Sequence, residues 1–524
     1  MVHTCVMKFL QRNRWWVLLL IILTSAATVW AIQVRGWHIT HPARDILIAC
    51  GLINFFIYLW VRICTLPSTS QQAVVVIVIV AVQAVCVSLL RVDGYHGDGR
   101  LITKWIWQPT PEQRFAEFQD KSSPAIASPD FSSLQSTDSP AFHGPVGNGQ
   151  FKCVGMAANW DTKAPKEVWR HPVGRGWSSF AVVNDFCVTQ EIRDKREAVV
   201  CYDFRDGREI WVRPIDEPFE EVTSGPGPRS TPAIHSGKVF ALSSRGKLCC
   251  LEDADGTTLW VSELGDPDLQ PNLFGFCGSP LVHGESVFVM LGGKHGSIVA
   301  VDRSTGDVKW KKGERRGSYS SPVLFRCDGQ LAVVIHDAVG MYAYHVDSGD
   351  VLCQFKWGRD SDEQVNACQP AVVNENHILL SSGYGVGSVL VRIDRKHDTQ
   401  WSASEVWQTI QLKSKFQSII VRDDFAYGLD EGILTCIDLK TGDRTWKKGR
   451  YRYGQLILVN DSLVIQNESG DVSIVAANPV RYQPLATIPA LTDRTWNHPV
   501  VAGGRLLVRN DREAVCFELP TDGK

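Results

Sequence analysis

The sequence predicts an all-β, eight-bladed β-propeller preceded by an α-helical membrane segment of three transmembrane helices. Three observations predict it. A ten-residue stretch, Val301-Asp-Arg-Ser-Thr-Gly-Asp-Val-Lys-Trp310, returns as Ile437-Asp-Leu-Lys-Thr-Gly-Asp-Arg-Thr-Trp446, with looser copies at 202–211 and 251–260. Tryptophans mark a period: Trp169, Trp211, Trp260, Trp310, Trp357, Trp407 and Trp446, at intervals of 39 to 50 residues. That period, with several short strands per unit, is a propeller signature. Three apolar runs, each about the ~20 residues of a bilayer span, fill most of the first 90 positions.

Each repeat reads as a strand ending on an acidic residue, a tight turn in which Gly supplies left-handed backbone, and a second strand running out to Trp. The Trp rings are expected to wedge between neighbouring blades as structural docking residues. Inner strands announce themselves by a small-polar-Pro start: Ser230-Thr-Pro, Gly278-Ser-Pro, Ser320-Ser-Pro, Cys368-Gln-Pro and Asn497-His-Pro. Degenerate starts at Ser178-Ser-Phe, Phe416-Gln-Ser and Gly454-Gln-Leu complete a set of eight. The unit at 454–488 lacks the Trp, and seven blades follow if that unit is misread. Lys166-Glu-Val-Trp-Arg170 is an outer strand with no blade before it. Ala514-Val-Cys-Phe-Glu518 is a third strand with no outer strand after it. Pairing the two closes the ring and removes the free edge.

These repeats resemble the tryptophan-docking repeat of the PQQ-like (pyrroloquinoline-quinone-like) β-propeller family over about residues 142–519. The stretch Phe142-His-Gly-Pro-Val-Gly-Asn-Gly149 is similar to the F-R-G-P-x-x-x-G segment before some bacterial members, with His143 in place of Arg. The family includes quinoprotein dehydrogenases and non-enzymatic scaffolds, such as the lipoprotein subunit that serves outer-membrane β-barrel assembly. The resemblance implies the fold and leaves the activity open.

The expected organisation is a membrane domain at 1–91, a flexible Pro/Ser-rich linker at 92–141 and a propeller at 142–520. The spans are 15–34, 46–66 and 72–90. Basic residues before the first span favour an inside N-terminus. Three crossings then put the propeller in the periplasm, where the family resemblance also puts it, on a multi-pass protein of a bacterial inner membrane. Arg91, Arg100 and Lys104 after the third span count the other way. So do the 15 cysteines, scattered in apolar strand contexts rather than in a disulfide framework. With a net charge of −2, composition points to no nucleic-acid partner.

Function in a propeller sits near the mouth of the central channel. Just before the Pro of each inner-strand start, or its equivalent, stand Ser179, Thr231, Ser279, Ser321, Gln369, Gln417, Gln455 and His498. Two positions earlier stand Trp177, Arg229, Cys277, Tyr319, Ala367, Lys415, Tyr453 and Trp496. Strand parity puts both sets on one side. A ligand or partner face is therefore expected from Trp177, Arg229, Tyr319, Lys415, Tyr453, Trp496, Gln369 and His498. The rival reading is a water-filled channel whose polar walls satisfy strand ends.

No Asp or Glu occupies the four positions before any start, whereas quinone chemistry needs a cation held by carboxylates and a carboxylate base. Nor is there a zinc or nucleophile motif. The adjacent Cys249 and Cys250 lie within one strand, so their side chains are expected on opposite faces and not in a vicinal disulfide. The expected function is a membrane-tethered scaffold that binds a protein or peptide at the propeller face, with no catalytic residue, metal or cofactor. The alternatives are a dehydrogenase using PQQ and Ca²⁺ and a small-anion sensor built on Arg229 and Lys415.

Overall fold

The computed structural model describes residues 87–119, 128–221, 223–265, 273–292, 296–314, 317–359, 365–397 and 400–521, with isolated positions between 70 and 85. It divides into two compact units. One comprises residues 1–109 with 222–224; the other comprises 110–221 and 225–524.

The second unit is an eight-bladed propeller, and each blade is an antiparallel sheet of four strands. Blades 1 to 6 begin at the inner strands Ala181–Val183, Ala233–His235, Leu281–His283, Val323–Cys327, Ala371–Asn374 and Ile420–Arg422. Blade 7 begins at Gln455–Val459 and blade 8 at Val500–Ala502. The outer strand of blade 8 is Lys166–Pro172, paired with Glu513–Glu518 in the register Cys516 opposite Trp169. The ring thus closes as the sequence predicts, and the weak repeat at 454–488 is a complete blade.

Second and third strands are buried runs of Val, Ile, Leu and Cys, because each sheet packs a neighbour on both faces. Eight apolar clusters of described residues result, one at each junction between blades. Cys249 belongs to the cluster between blades 1 and 2, and Cys250 to that between blades 2 and 3. Their side chains diverge as strand parity requires.

The docking turn works through glycine. Trp310 lies against Gly349, where an added Cβ would sit 2.5 Å from the indole. Gly207, Gly256, Gly306 and Gly442 meet Trp169, Trp211, Trp260 and Trp407 in the same way, all at positive φ. Trp169, Trp211, Trp260, Trp407 and Trp446 donate Nε1–H to a carbonyl in the next blade at 2.8–3.1 Å. Trp357 is buried in the junction between blades 4 and 5, but off the position opposite the third strand. In blade 4 the position opposite the third strand is Cys353, as Trp310 is in blade 3. Trp401, from the long blade 5 hairpin Gly387–His397 and Gln400–Thr409, fills the junction between blades 4 and 5. In blade 7 the position is Ala486, and Trp160 fills the junction with blade 8.

The segment expected as a flexible linker carries ordered structure. The strands Leu90–Tyr95 and Leu101–Trp105 form a hairpin in the first unit. In the second unit, helix α1 (Pro111–Gln119) sets Phe115 under Arg193, 4.0 Å from its guanidinium, and Phe118 against His171. Arg193 in turn holds the buried Glu191 at 2.7 Å. Phe131 is fully buried in the cluster of blades 1 and 2.

The membrane segment needs correction. Among the described residues no helix is long and apolar enough to cross a membrane, and the only helix with defined bounds is α1. The expected spans 15–34 and 46–66 lie outside the described residues. The third, 72–90, is described only in part and runs into a strand at Leu90. Hydropathy alone measures apolar length and cannot tell a crossing helix from other apolar elements.

Candidate functional site

The two ends of the channel are built differently. At one end the chain closes its own channel. Ser139 bridges Val182, and Pro140 O accepts from Ile234 N. Gly147 O accepts from Gln369 Nε2 at 2.6 Å, and Gly149 O accepts from Leu458 N at 2.8 Å. Gln150–Phe151 then adds to blade 7 as a parallel fifth strand. The path from blades 1 and 2 past blades 5 and 8 to blade 7 crosses the channel. The glycines of Phe142-His-Gly-Pro-Val-Gly-Asn-Gly149 permit the crossing. A Cβ on Gly149 would meet Ile420 and His143 at 2.5 and 2.7 Å.

Inside, the polar positions are consumed by structure. Ser179 N donates to Thr231 Oγ1, Thr231 N to Ser279 Oγ and Ser279 N to Ser321 Oγ, at 2.9–3.0 Å. Ser179 Oγ donates to His498 O, and Gln417 Nε2 to Leu429 O. Gln455 Nε2 bonds Trp496 O at 2.9 Å. These bonds tie blades 7, 8, 1, 2, 3 and 4 in succession and hold Gln417 within blade 6, the strand-end satisfaction that the rival reading describes. His498 packs its ring 4.6 Å from His143 and 4.7 Å from Phe142. Burial holds both imidazoles neutral. It pushes His143 down to about 3 and His498 well below the ordinary value. Gln369 and His498 therefore face the closing segment and not the open mouth.

The other mouth, at the inner-strand starts, is rimmed by aromatic rings. Trp177 and Trp496 lie 5.0 Å apart, and the guanidinium of buried Arg494 sits 4.7 and 4.4 Å from them. Phe416 joins Trp496 to Tyr453 at 5.3 and 5.6 Å. Lys415 Nζ lies 4.5 Å from Tyr453 and 4.9 Å from Tyr384. Across the mouth Tyr319 meets Phe274 edge-on at 5.3 Å. Arg229 is held by Glu221 at 3.3 Å and by Gly227 O at 2.9 Å.

The structure thus groups six of the eight expected residues at the mouth. Sequence reasoning missed Arg494, Glu468, Phe416, Tyr384 and Phe274. Arg494 is two residues before Trp496, outside the positions inspected, and Tyr384, Phe274 and Glu468 come from loops whose approach only the closed ring sets.

The acids at the mouth arrive singly. Glu221 pairs with Arg229, Glu431 accepts from Tyr453 OH at 3.0 Å, and Glu468 accepts from Trp496 Nε1 at 2.9 Å. Among the described residues no three His, Cys, Asp or Glu side chains come together to hold a metal ion. A quinone bound through Ca²⁺ needs converging carboxylate oxygens, which the described acids of the mouth do not supply; the loop acids Asp360, Asp362 and Glu363 lie outside the described residues. The anion reading fares no better at Arg229, whose charge already meets a carboxylate.

Comparison with known proteins agrees with this architecture. The family model described as outer membrane protein assembly factor BamB matches residues 158–313 and 195–448. A curated relative, outer membrane protein assembly factor BamB of Yersinia pestis, is 24% identical over 256 residues, 46% of this chain and 60% of the relative. The matched stretch thus spans less than two thirds of that relative. BamB from Moraxella catarrhalis superposes with a TM-score of 0.50 at 18% identity, over 69% of this chain and 99% of that one. Quinohemoprotein alcohol dehydrogenase from Comamonas testosteroni gives 0.53 at 13% identity, over 79% and 86%. An assembly factor and a dehydrogenase therefore share the fold. The expectation of a multi-pass inner-membrane protein is corrected as well: no described helix can cross a membrane, and the curated relative is named for the outer membrane.

Proposed function

Because the chain belongs to the PQQ-like propeller family described as outer membrane protein assembly factor BamB, we propose that it is a protein-binding scaffold of the cell envelope. Its partner docks at the open mouth of the channel. One observation carries this reading. The closing segment fills the far end, while the near end gathers aromatic rings and cations that are buried or half-buried, apart from Tyr384, which is 43% exposed. Aromatic side chains combine large apolar area with few rotatable bonds and recur as anchors in protein interfaces. The paired charges, Arg229 with Glu221 and the Lys415 ammonium over Tyr453, orient a partner without a catalytic group.

A photoreactive residue at Tyr384 in the full chain tests this in intact cells. The control places it at Lys309, on an exposed outer strand. The expected result is a discrete protein adduct from Tyr384 and none from Lys309. Adducts from Lys309 alone would move the interface to the rim. A parallel titration with PQQ and Ca²⁺ reads Trp fluorescence, and saturable calcium-dependent binding would overturn the scaffold reading in favour of an enzyme.

A further inference from the structure

The unit of residues 1–109 and 222–224 carries a surface of its own. In its hairpin Leu90 pairs with Trp105, and Ile106 N donates to Leu89 O at 2.9 Å. Trp105, Ile106 and Trp107 thus lie beside the turn that leads into the hairpin. The two indoles stack at 4.9 Å and 6°, yet they remain 40% and 64% exposed, and Ile106 is 52% exposed. Helical positions just before the hairpin extend the apolar surface. Val74, Ile77, Val78 and Val85 are all exposed, and their spacing puts them on one helix face. Aliphatic and indole surface on this scale needs cover.

The chemistry of the surroundings selects the cover. Residues 72–90 contain no charged side chain, and the charges begin abruptly in the hairpin at Arg91, Asp93, Asp98, Arg100 and Lys104. The stacked indoles stand at this change from apolar to charged. An indole is an apolar body with one polar N–H, and its preferred place is the boundary between hydrocarbon and water. We infer that Trp105 and Trp107 anchor this unit at a phospholipid surface, with the indoles at headgroup depth. The inference assigns no crossing of the bilayer, and it stands or falls apart from the scaffold reading.

The test uses the full chain reconstituted with phosphatidylethanolamine–phosphatidylglycerol vesicles. Subtracting the emission of the W105F/W107F variant from that of the natural protein isolates the two indoles. The expected difference spectrum is blue-shifted and drops about twofold with lipids brominated near the headgroup, and less with bromine at the chain end. A red-shifted, unquenched difference spectrum would overturn the proposal, because the indoles would then face water. A blue shift that grows with protein concentration and ignores bromine would also overturn it, because a second copy would then be the cover. W107F alone isolates the Trp107 indole by the same method should the double variant lose its fold.

Discussion

At the scale of single residues, the docking contact between a Trp and the next blade's turn Gly explains why the repeat keeps its glycine. Gly442 has φ +76°, and a Cβ there would come within 2.8 Å of the Trp407 ring. Gly284 has φ +55° with nothing within 4 Å of its Cβ position. Gly442→Ala should therefore lose about 2 kcal/mol in urea unfolding, and Gly284→Ala only about 1 kcal/mol, the backbone cost alone. Equal losses would show that left-handed backbone, and not the ring, fixes the glycine. Ionisation gives a second prediction. Burial depresses His143 to about 3, His336 to about 4 and His498 well below its usual value. In the unfolded chain these groups take up protons near pH ~6.5. Their contribution is complete above that pH and is lost as pH falls toward the folded values. Glu197 opposes them. Burial and Asp216 raise its carboxyl to about 7, so its contribution is complete below the unfolded value and lost as pH rises through 7. Between pH ~4.5 and ~6.5 stability should rise with pH, because the buried histidines outnumber Glu197, and Glu197→Gln should steepen that rise by about one proton. Denaturation midpoints of both proteins at three pH values in this window check the sign and the difference.

At the scale of elements, two docking tryptophans come from unexpected places. The repeat spells out Trp211, Trp260, Trp310 and Trp446, because each follows the turn Gly by four residues. In blade 4 that position is Cys353, and the nearby Trp357 keeps the period and shares the junction with a ring from elsewhere. The ring that fills this junction, Trp401, belongs to a blade 5 hairpin too long for the repeat to predict. At the next irregular junction Trp160 arrives from before the ring. Neither was legible in the chain, because spacing records sequence neighbours while these rings pack across blades. Each replacement should be as costly to lose as a regular docking Trp. Trp401→Ala and Trp160→Ala should each destabilise by about 3–5 kcal/mol, and Cys353→Trp by about 1–3 kcal/mol through overpacking. Thermal and urea unfolding of the three variants measure this, and a neutral Cys353→Trp would mean that the junction has room for both rings. Composition was silent on the contacts of the expected linker for a related reason. Its Pro and Ser content suggested a tether, yet one Phe131 and a few backbone contacts fasten it to blades 1 and 2.

For the whole molecule, closure was the most legible property. Eight inner-strand starts and two incomplete blade fragments at opposite ends of the repeat region sufficed to join Lys166–Pro172 with Glu513–Glu518. The mouth was legible only in part. Parity found Trp177, Lys415, Tyr453 and Trp496, but which end of the channel stays open depends on a segment that pairs with blades far apart in sequence. That segment also decides what folds. A chain starting at 142 keeps every blade but lacks Phe131, Ser139 and Pro140, and so bares the inner strands of blades 1 and 2. A chain starting at 110 keeps them together with helix α1. The shorter fragment should unfold at lower urea than the longer one, by at least the ~3 kcal/mol of one deleted core aromatic, and should bind a hydrophobic dye before its main transition. Removing 513–524 should act differently. It detaches the Lys166–Pro172 strand from blade 8 and reopens the ring, so every blade loses the constraint of closure. Unfolding should then broaden into more than one step, detected as a mismatch between tryptophan fluorescence and circular dichroism. Coincident transitions would mean that the eight apolar junctions hold the ring without the closing strand.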